Sequence, residues 1–149
     1  MSELFSTLGI SGSGMTAERL RMDVIAENLA NANTTRTEAG GPYRRKEVVL
    51  EAKGDGSSFA DVLDGVGGGG NGGSGVQVAG VADDPSAPRR VYEPGHPDAD
   101  AQGFVTFPNV NPVTEMVDLI TASRGYEADV QAMNTSKQMF SKALDILRS

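Results

Sequence analysis

Three residues of types that bind metal ions or transfer protons lie close together late in the chain: His96, Asp98 and Asp100. An imidazole beside two carboxylates is a donor set that suits a divalent cation, and it would suggest a small metal-dependent hydrolase. However, prolines and a glycine around His96 mark a turn, where Asp commonly hydrogen-bonds its own backbone. A metal centre also usually recruits ligands from distant parts of a chain. We therefore interpret this segment as a turn and expect neither a metal nor another cofactor.

A second candidate for chemistry is the glycine spacing Gly67-x-Gly69-x-x-Gly72, which formally matches a dinucleotide-binding fingerprint. In that motif a strand leads into the glycines and a helix follows them, so that the pyrophosphate lies at the helix N-terminus. Here no strong strand pattern precedes the glycines and no helical pattern follows them. Because the whole stretch 65–75 is rich in glycine, the spacing arises from composition, and we interpret the stretch as a flexible loop.

The composition argues against two classes of function, catalysis and nucleic-acid binding. The chain contains one histidine and no cysteine. Catalytic mechanisms that depend on histidine or cysteine side chains are therefore nearly excluded. A hydrolase built on carboxylates alone needs two of them in a cleft, and we predict that the chain is not an enzyme. The formal net charge of −7 argues against nucleic acid as a partner. The short basic runs at 44–46 and 89–90 are better explained as a solvated loop or strand edge.

Neither end of the chain looks like a membrane segment. No apolar run approaches the length of a membrane span, so we expect no direct membrane insertion. The N-terminus also lacks the basic region and the uninterrupted apolar segment of a secretory signal. We therefore expect no signal cleavage.

The longest secondary-structure element that the sequence predicts is a helix near the C-terminus. Apolar residues recur there at alternating steps of three and four, the heptad spacing of a helix face that packs on a partner helix. This predicted seam runs through Met116, Leu119, Ser123, Tyr126, Val130, Met133, Lys137, Phe140, Leu144 and Leu147. Asn111 and Pro112 suit the start of a helix, so we predict a coiled-coil helix within 108–149.

A second helix with the same period lies near the N-terminus. Leu8, Met15, Met22 and Leu29 are spaced seven apart, and Ile25 occupies the other seam position. Glycines at positions 9, 12 and 14 weaken the first turns, so the pattern predicts a secure helix over 16–32 with a softer beginning from position 4. An asparagine-rich run then ends the helix, because Asn tolerates the left-handed backbone conformation. The N-terminal unit is therefore 1–35.

Between the helices, over 36–107, the pattern changes to short apolar pieces separated by turn residues. The pieces at 47–50, 76–81, 89–92 and 103–107 are predicted strands of a small antiparallel unit, too poor in large apolar residues to be stable alone. The expected fold class is mainly α, with N- and C-terminal helices forming a coiled-coil axial domain around a small β-rich middle insertion. Because this insertion cannot cover two long stripes, much of the seam must be shared between helices or between chains.

Two segments resemble a known family, the rod and hook proteins of the bacterial flagellum. The first segment is the run that ends the first helix, with Asn28, Leu29, Ala30, Asn31, Asn33 and Thr34. The second begins at Val91, includes the turn formed by Pro94, Gly95, His96, Pro97 and Asp98, and continues to position 127. The first run resembles rod and hook subunits in general, whereas the second resembles the proximal rod proteins of the basal body. The stretch 54–75 is longer and richer in glycine than we expect for this family.

The resemblance implies a structural role. The terminal helices would pair as a coiled coil around a narrow axial channel, and subunits would stack helically into the rod, the shaft that carries torque across the periplasm. It also implies export through the flagellar type III apparatus, so the expected partners are other copies of the chain, other rod proteins and this apparatus. The alternative is a soluble coiled-coil adaptor or chaperone-like binding protein. This alternative explains the heptad spacing but not the asparagine-rich run or the His96 turn.

Overall fold

The computed structural model describes residues 2–53 and 75–148, which form two long helices with a β-rich region between them. The elements, in chain order, are α1 (Ser2–Ala30), β1 (Lys46–Ala52), β2 (Val76–Asp83), β3 (Arg89–Tyr92), β4 (Phe104–Phe107) and α2 (Pro112–Arg148). The prediction of a long helix near each end with a small antiparallel β region between them is confirmed. The predicted glycine-rich loop, 65–75, lies outside the described residues except for Gly75.

The two helices pack side by side in opposite directions. Gly14 of α1 faces Asp129 of α2, and Glu18, one turn later in α1, faces Gly125, one turn earlier in α2. A Cβ atom at Gly14 would lie only 2.5 Å from a carboxylate oxygen of Asp129, and one at Gly125 would lie 3.3 Å from the Glu18 carboxyl carbon. Each glycine therefore makes room for a carboxylate side chain of the opposite helix.

Both ends of α1 differ from the sequence-based expectation. The helix begins at Ser2 and is continuous through the glycine-containing turns, because Gly14 lies against α2. It ends at Ala30, and no described residue other than glycine has a positive φ. The expectation that an asparagine ends the helix in the left-handed conformation is therefore wrong. Instead, the backbone oxygen of Glu27 accepts two hydrogen bonds from Asn31, from its backbone N–H at 3.1 Å and from its side-chain amide at 2.9 Å.

The start of α2 follows the expectation closely. The helix begins at Pro112, and the side-chain oxygen of Asn111 accepts a 3.0 Å hydrogen bond from the backbone N–H of Val113. Asn111 thus acts as the N-cap, and Pro112 occupies the first helical position, where its missing N–H costs nothing.

The predicted seam of α2 is only partly covered within the chain. Its half-buried members are Leu119, Ser123, Tyr126, Val130, Met133 and Phe140. Met116, Lys137 and Leu144 are exposed, and the side chain of Leu147 lies outside the described part of the chain. The residues of α2 that meet α1 include Glu115 and Asp129, each one position before a predicted seam residue. A Cβ atom at Gly12 would lie 3.8 Å from the side chain of the seam residue Met133, so the face turned toward α1 combines part of the predicted seam with residues one position before it.

The seam of α1 is better covered. Ile25 is buried, and the half-buried members are Leu8, Met15, Met22 and Leu29. This difference arises because α1 has neighbours on two sides, since β1 and β2 also pack against it.

The β-rich region consists of two separate antiparallel pairs. β1 pairs with β2, with Val48 opposite Val81 and an irregularity between Val49 and Leu50. β3 pairs with β4 through the residues 89–92 and 104–107. Two-stranded sheets of this kind need support from other elements; the first pair obtains it from α1. The fully buried Val105 lies in β4, in the second pair.

A small apolar cluster closes the fold beside the ends of the helices. It consists of Ala32 and Tyr43 from the segment that connects α1 to β1, and of Val110 from the segment before α2. Within the described ranges, neither helix is long and apolar enough to cross a membrane.

Candidate functional site

The best-defined polar site of the chain surrounds Asn28, whose side chain is completely buried. Its Nδ2 atom donates to the backbone oxygen of Lys46 at 2.9 Å and to Oε2 of Glu115 at 3.1 Å. Its Oδ1 atom accepts from the Tyr43 hydroxyl and from the Lys46 N–H, both at 2.9 Å. All four hydrogen-bonding positions of the Asn28 amide are therefore used, and one side chain joins α1, β1, α2 and the loop before β1.

The environment of Tyr43 reflects its position in this site. Burial, followed by the charge of Glu27, raises the pKa of the Tyr43 phenol above its ordinary value. Tyr43 is therefore a neutral hydrogen-bond donor to Asn28 at neutral pH, and ionisation of the phenol would remove that donor.

Glu115 connects Asn28 to a cluster of charges around Arg45. Glu115 is 1% exposed, and its Oε1 atom accepts a 2.6 Å hydrogen bond from Nε of Arg45. Arg45 also bonds Glu47 and lies 3.5 Å from Asp84 and 3.9 Å from Asp118. Burial by itself would lower the pKa of the Arg45 guanidinium, but its hydrogen bonds to Glu115 and Glu47 raise that pKa above its ordinary value. A buried carboxylate is stable only with such pairing.

Together, Asn28, Tyr43, Arg45 and Glu115 form what we call the helix–hairpin junction. Sequence reasoning identified only Asn28 among them, and the interpretation of the basic run 44–46 as solvated is wrong for Arg45, which is 18% exposed and paired with carboxylates. The reason is that Arg45 and Glu115 are 70 residues apart. No local pattern links them, although an acidic residue in the first turn of α2 is typical of helix starts.

The two segments that carried the family resemblance meet in space. The Thr35 hydroxyl donates a 2.8 Å hydrogen bond to Oδ2 of Asp98, and Arg36 lies 3.9 Å from the same carboxylate. Within the first segment, the Thr34 hydroxyl donates to the Asn31 side chain at 3.1 Å. The end of α1 and the His96 turn are therefore held together by side chains, 63 residues apart in sequence.

The residues that suggested a metal site have other roles. His96 accepts the backbone N–H of Asp98 through Nδ1 at 3.1 Å, and its ring lies edge-on to Phe107. Asp100 accepts the backbone N–H groups of Gln102 at 2.8 Å and Phe104 at 2.9 Å. The Phe104 hydrogen bond is the main cause that lowers the pKa of the Asp100 carboxyl. Over 2–53 and 75–148, no group of three or more acidic or histidine residues has an arrangement that suits a metal ion.

Comparison with known families places the chain in a class of structural proteins. Residues 8–36 match the family described as flagella basal body rod protein, and residues 101–146 match the C-terminal family of the flagellar basal body rod FlgEFG proteins. These matched ranges contain most of α1 and α2, together with the asparagine-rich run. The chain is therefore a protein of the flagellar basal-body rod.

The relatives identify the family within this class. The flagellar basal-body rod protein FlgC of Bacillus subtilis is 49% identical over 95% of this chain and 97% of the relative. FlgC of Borreliella burgdorferi is 45% identical over 97% of this chain and 98% of the relative, and FlgC of Escherichia coli O157:H7 is 41% identical over 96% and 97%. The chain belongs to the FlgC family. Its members are structural rod proteins, and the matches indicate no catalytic family.

Proposed function

We propose that this rod subunit polymerises helically, with copies of itself and with other rod proteins, into the shaft that transmits torque across the periplasm. In this proposal 1–35 and 108–149 form the axial coiled-coil unit around a narrow export channel. The intervening 36–107, with its glycine-rich loop, forms an outer β-rich unit. The chain reaches the rod through the flagellar type III export apparatus, without signal cleavage.

The observation that carries this proposal is the apolar surface that α2 leaves uncovered. Val113, Val117, Ile120 and Met139 are each more than half exposed, and the seam residue Leu144 is 40% exposed. The 37 residues of α2 correspond to about 55 Å of helix. Val113, Val117 and Ile120 form an exposed apolar patch near its start, whereas Met139 and Leu144 lie near its end. Exposed apolar patches are typical of protein–protein interfaces. Neighbouring subunits in a polymer would cover it.

The helix–hairpin junction supports a mechanical role. A shaft transmits torque only if the outer parts of each subunit do not rotate freely about its axial helices. Asn28 and Arg45 bond β1 and the residue before it to both helices through buried and partly buried hydrogen bonds, and such polar networks make a structure rigid. The exposed Thr35–Asp98 bond connects the β3–β4 pair to the segment that follows α1.

Mass spectrometry of purified hook–basal bodies tests the proposal, in cells that express the chain with an internal tag at 67–73. We expect the tagged chain in stoichiometric amounts with its N-terminal sequence unprocessed. As a control, the same tag on an unrelated cytosolic protein should be absent from the basal bodies. If the tagged chain stays in the cytosol while the cells remain motile, the rod proposal is wrong and the coiled-coil adaptor becomes the better explanation.

A further inference from the structure

The start of α2 carries a continuous apolar surface that faces away from α1. We call it the outer stripe, and its members are Val113, Met116, Val117 and Ile120, which are 70, 51, 57 and 55% exposed. Glu115 and Ala122, on the opposite side of the helix, are buried at about 1%, so the stripe cannot be part of the packing with α1. Two charged residues, Arg124 and Glu127, continue the same face at helical spacing.

A concave, partly apolar surface lies between α1 and β1, with Asp118 of α2 at its edge. We call it the α1–β1 groove; its volume is about 370 Å³. Its apolar lining consists of Val24, Ile25, Val48 and Leu50. The charged lining residues with the most exposed side chains are Arg21 and Glu47, at 41 and 57%.

We propose that the outer stripe of one copy docks into the α1–β1 groove of the next copy in the rod, an inference that rests on the proposed function. Two different surfaces of the same chain meet in such a contact, so each copy offers both a stripe and a groove to its neighbours. A contact of this heterologous type produces an open helical array when its rotation does not close a ring. A self-complementary contact between two stripes would instead stop at a dimer.

The charges beside the two surfaces are complementary. Glu127 follows the stripe and has no ion-pair partner among the described residues, whereas Arg21 lines the groove with only Glu18 nearby, at 3.8 Å. Complementary charges at the edge of an apolar contact determine its register and its choice of partner.

Disulfide crosslinking in assembled basal bodies tests this contact. The chain has no cysteine of its own, so a disulfide reports only on introduced residues. One copy carries Val117→Cys and a co-expressed copy carries Leu50→Cys, and the purified basal bodies are oxidised. We expect a disulfide-linked dimer of two copies that requires both substitutions. Glu51→Cys is the matched control, because adjacent strand residues point to opposite faces, and its pairing with Val117→Cys should give no dimer.

Several outcomes would overturn the docking contact. A dimer from Val117→Cys alone would show that stripes meet each other, and an adduct of different mass would show that another protein covers the stripe. Basal bodies that contain both variants without a crosslink would also contradict it. The absence of the unsubstituted chain from basal bodies is distinguishable from these results, because it contradicts the proposed function itself.

Charge reversal provides a second measurement that does not depend on disulfide geometry. Arg21→Glu and Glu127→Arg should each lower incorporation into basal bodies, since each places like charges side by side. The two substitutions in one chain should restore incorporation. Arg19→Glu is the control, because Arg19 is exposed on α1 and is not among the groove residues, and it should have no effect. A double variant that assembles no better than the weaker single variant would contradict the proposed pairing.

Discussion

The side-chain amide of Asn28 in α1 donates a 3.1 Å hydrogen bond to Glu115 in α2, 87 residues farther along the chain. Because both side chains are buried, this bond fixes the register of the two helices where α1 ends and α2 begins. The same amide holds the first residue of β1 through both backbone atoms of Lys46. One residue of the asparagine-rich run thus determines how three elements are placed.

Replacement of Asn28 by alanine is expected to lower the free energy of unfolding by about 2–4 kcal/mol. The substitution leaves Tyr43, Glu115 and the backbone of Lys46 without their buried partner. Urea unfolding followed by circular dichroism measures the loss. Asn33→Ala is the matched control, because Asn33 is exposed, and it should change the free energy by less than about 0.5 kcal/mol. Equal effects of the two substitutions would contradict the role of the junction.

Replacement of Arg45 by methionine should be still more damaging. It leaves the Glu115 carboxylate buried without its countercharge, which costs about 3–5 kcal/mol when one partner of a buried pair is removed. The additional substitution Glu115→Gln should recover part of the loss, because a neutral amide can still accept the hydrogen bond from Asn28. Denaturant midpoints of the single and double variants measure both effects.

The neighbouring Arg44 provides the control for this experiment, since its side chain is exposed. Arg44→Met should leave the midpoint nearly unchanged. If the Arg45→Met/Glu115→Gln chain were no more stable than Arg45→Met alone, the buried charge of Glu115 would not be the cause of the instability.

Local patterns are sufficient to predict the elements of this fold but only part of the face by which its helices meet. The Asn111 cap and the heptad spacing place α2 correctly, because both depend on neighbours within a few residues. The spacing also predicts Met116 and Leu144 as members of the seam. In the chain, α1 meets the seam residue Met133 but also Glu115 and Asp129, because Gly14 makes room for a carboxylate side chain that an apolar pattern does not include.

The helix–hairpin junction cannot be predicted from local sequence patterns. Tyr43 and Arg45 belong to a segment without periodicity, and their partners lie in other elements of the chain. The asparagine-rich run was informative only through its resemblance to a family. Its physical reason, the saturation of the Asn28 side chain by groups from three elements, becomes visible only when these elements are in contact.

The stability of the chain should fall in alkaline solution because of Tyr43. Its pKa in the folded chain is raised above the ordinary value of 10.0, chiefly by burial. A raised folded pKa favours the neutral phenol, so its stabilising contribution is complete below pH 10 and is lost as the pH rises through the folded pKa. Urea midpoints from pH 7 to about 11 should therefore decrease more for the natural chain than for Tyr43→Phe.

The phenylalanine variant separates this effect from the titration of other groups. At neutral pH it should be less stable by about 1 kcal/mol, since one buried hydrogen bond to Asn28 is lost. Tyr92→Phe is the control, because Tyr92 is 62% exposed, and its alkaline decrease should match that of the natural chain. A parallel decrease in all three proteins would assign the effect to another group.

An acidic residue in the exposed half of the seam should block assembly and leave the single chain intact. Leu144 is 40% exposed, so Leu144→Asp should not change the circular dichroism of the isolated chain. In a polymer the same position would bury a charge in an apolar contact, and we expect loss of motility and of the rod subunit from basal bodies. Tyr126→Asp should also block assembly, with a loss of helix stability in addition, because Tyr126 is half-buried within the chain.

Ala128→Asp is the matched control for these substitutions. Ala128 is exposed on the same helix and is not a seam residue, so this variant should remain motile. Normal motility of Leu144→Asp and Tyr126→Asp would remove the argument that the seam is shared between subunits, and loss of motility in all three would indicate a general intolerance of charge on α2.

Hydrogen exchange should show that the helix pair is only marginally stable before assembly. The contact around Gly14 and Gly125 is made by carboxylate side chains, and Oε2 of Glu18 is buried without a hydrogen-bond partner among the described residues. Such a contact stabilises the pair weakly, while closure of the long connection between the helices opposes it. We therefore expect the backbone amides of Tyr126 and Val130 to exchange rapidly in the dilute chain and slowly in purified basal bodies. Strong protection of these amides in the monomer would show that the helices do not depend on neighbouring subunits for their order.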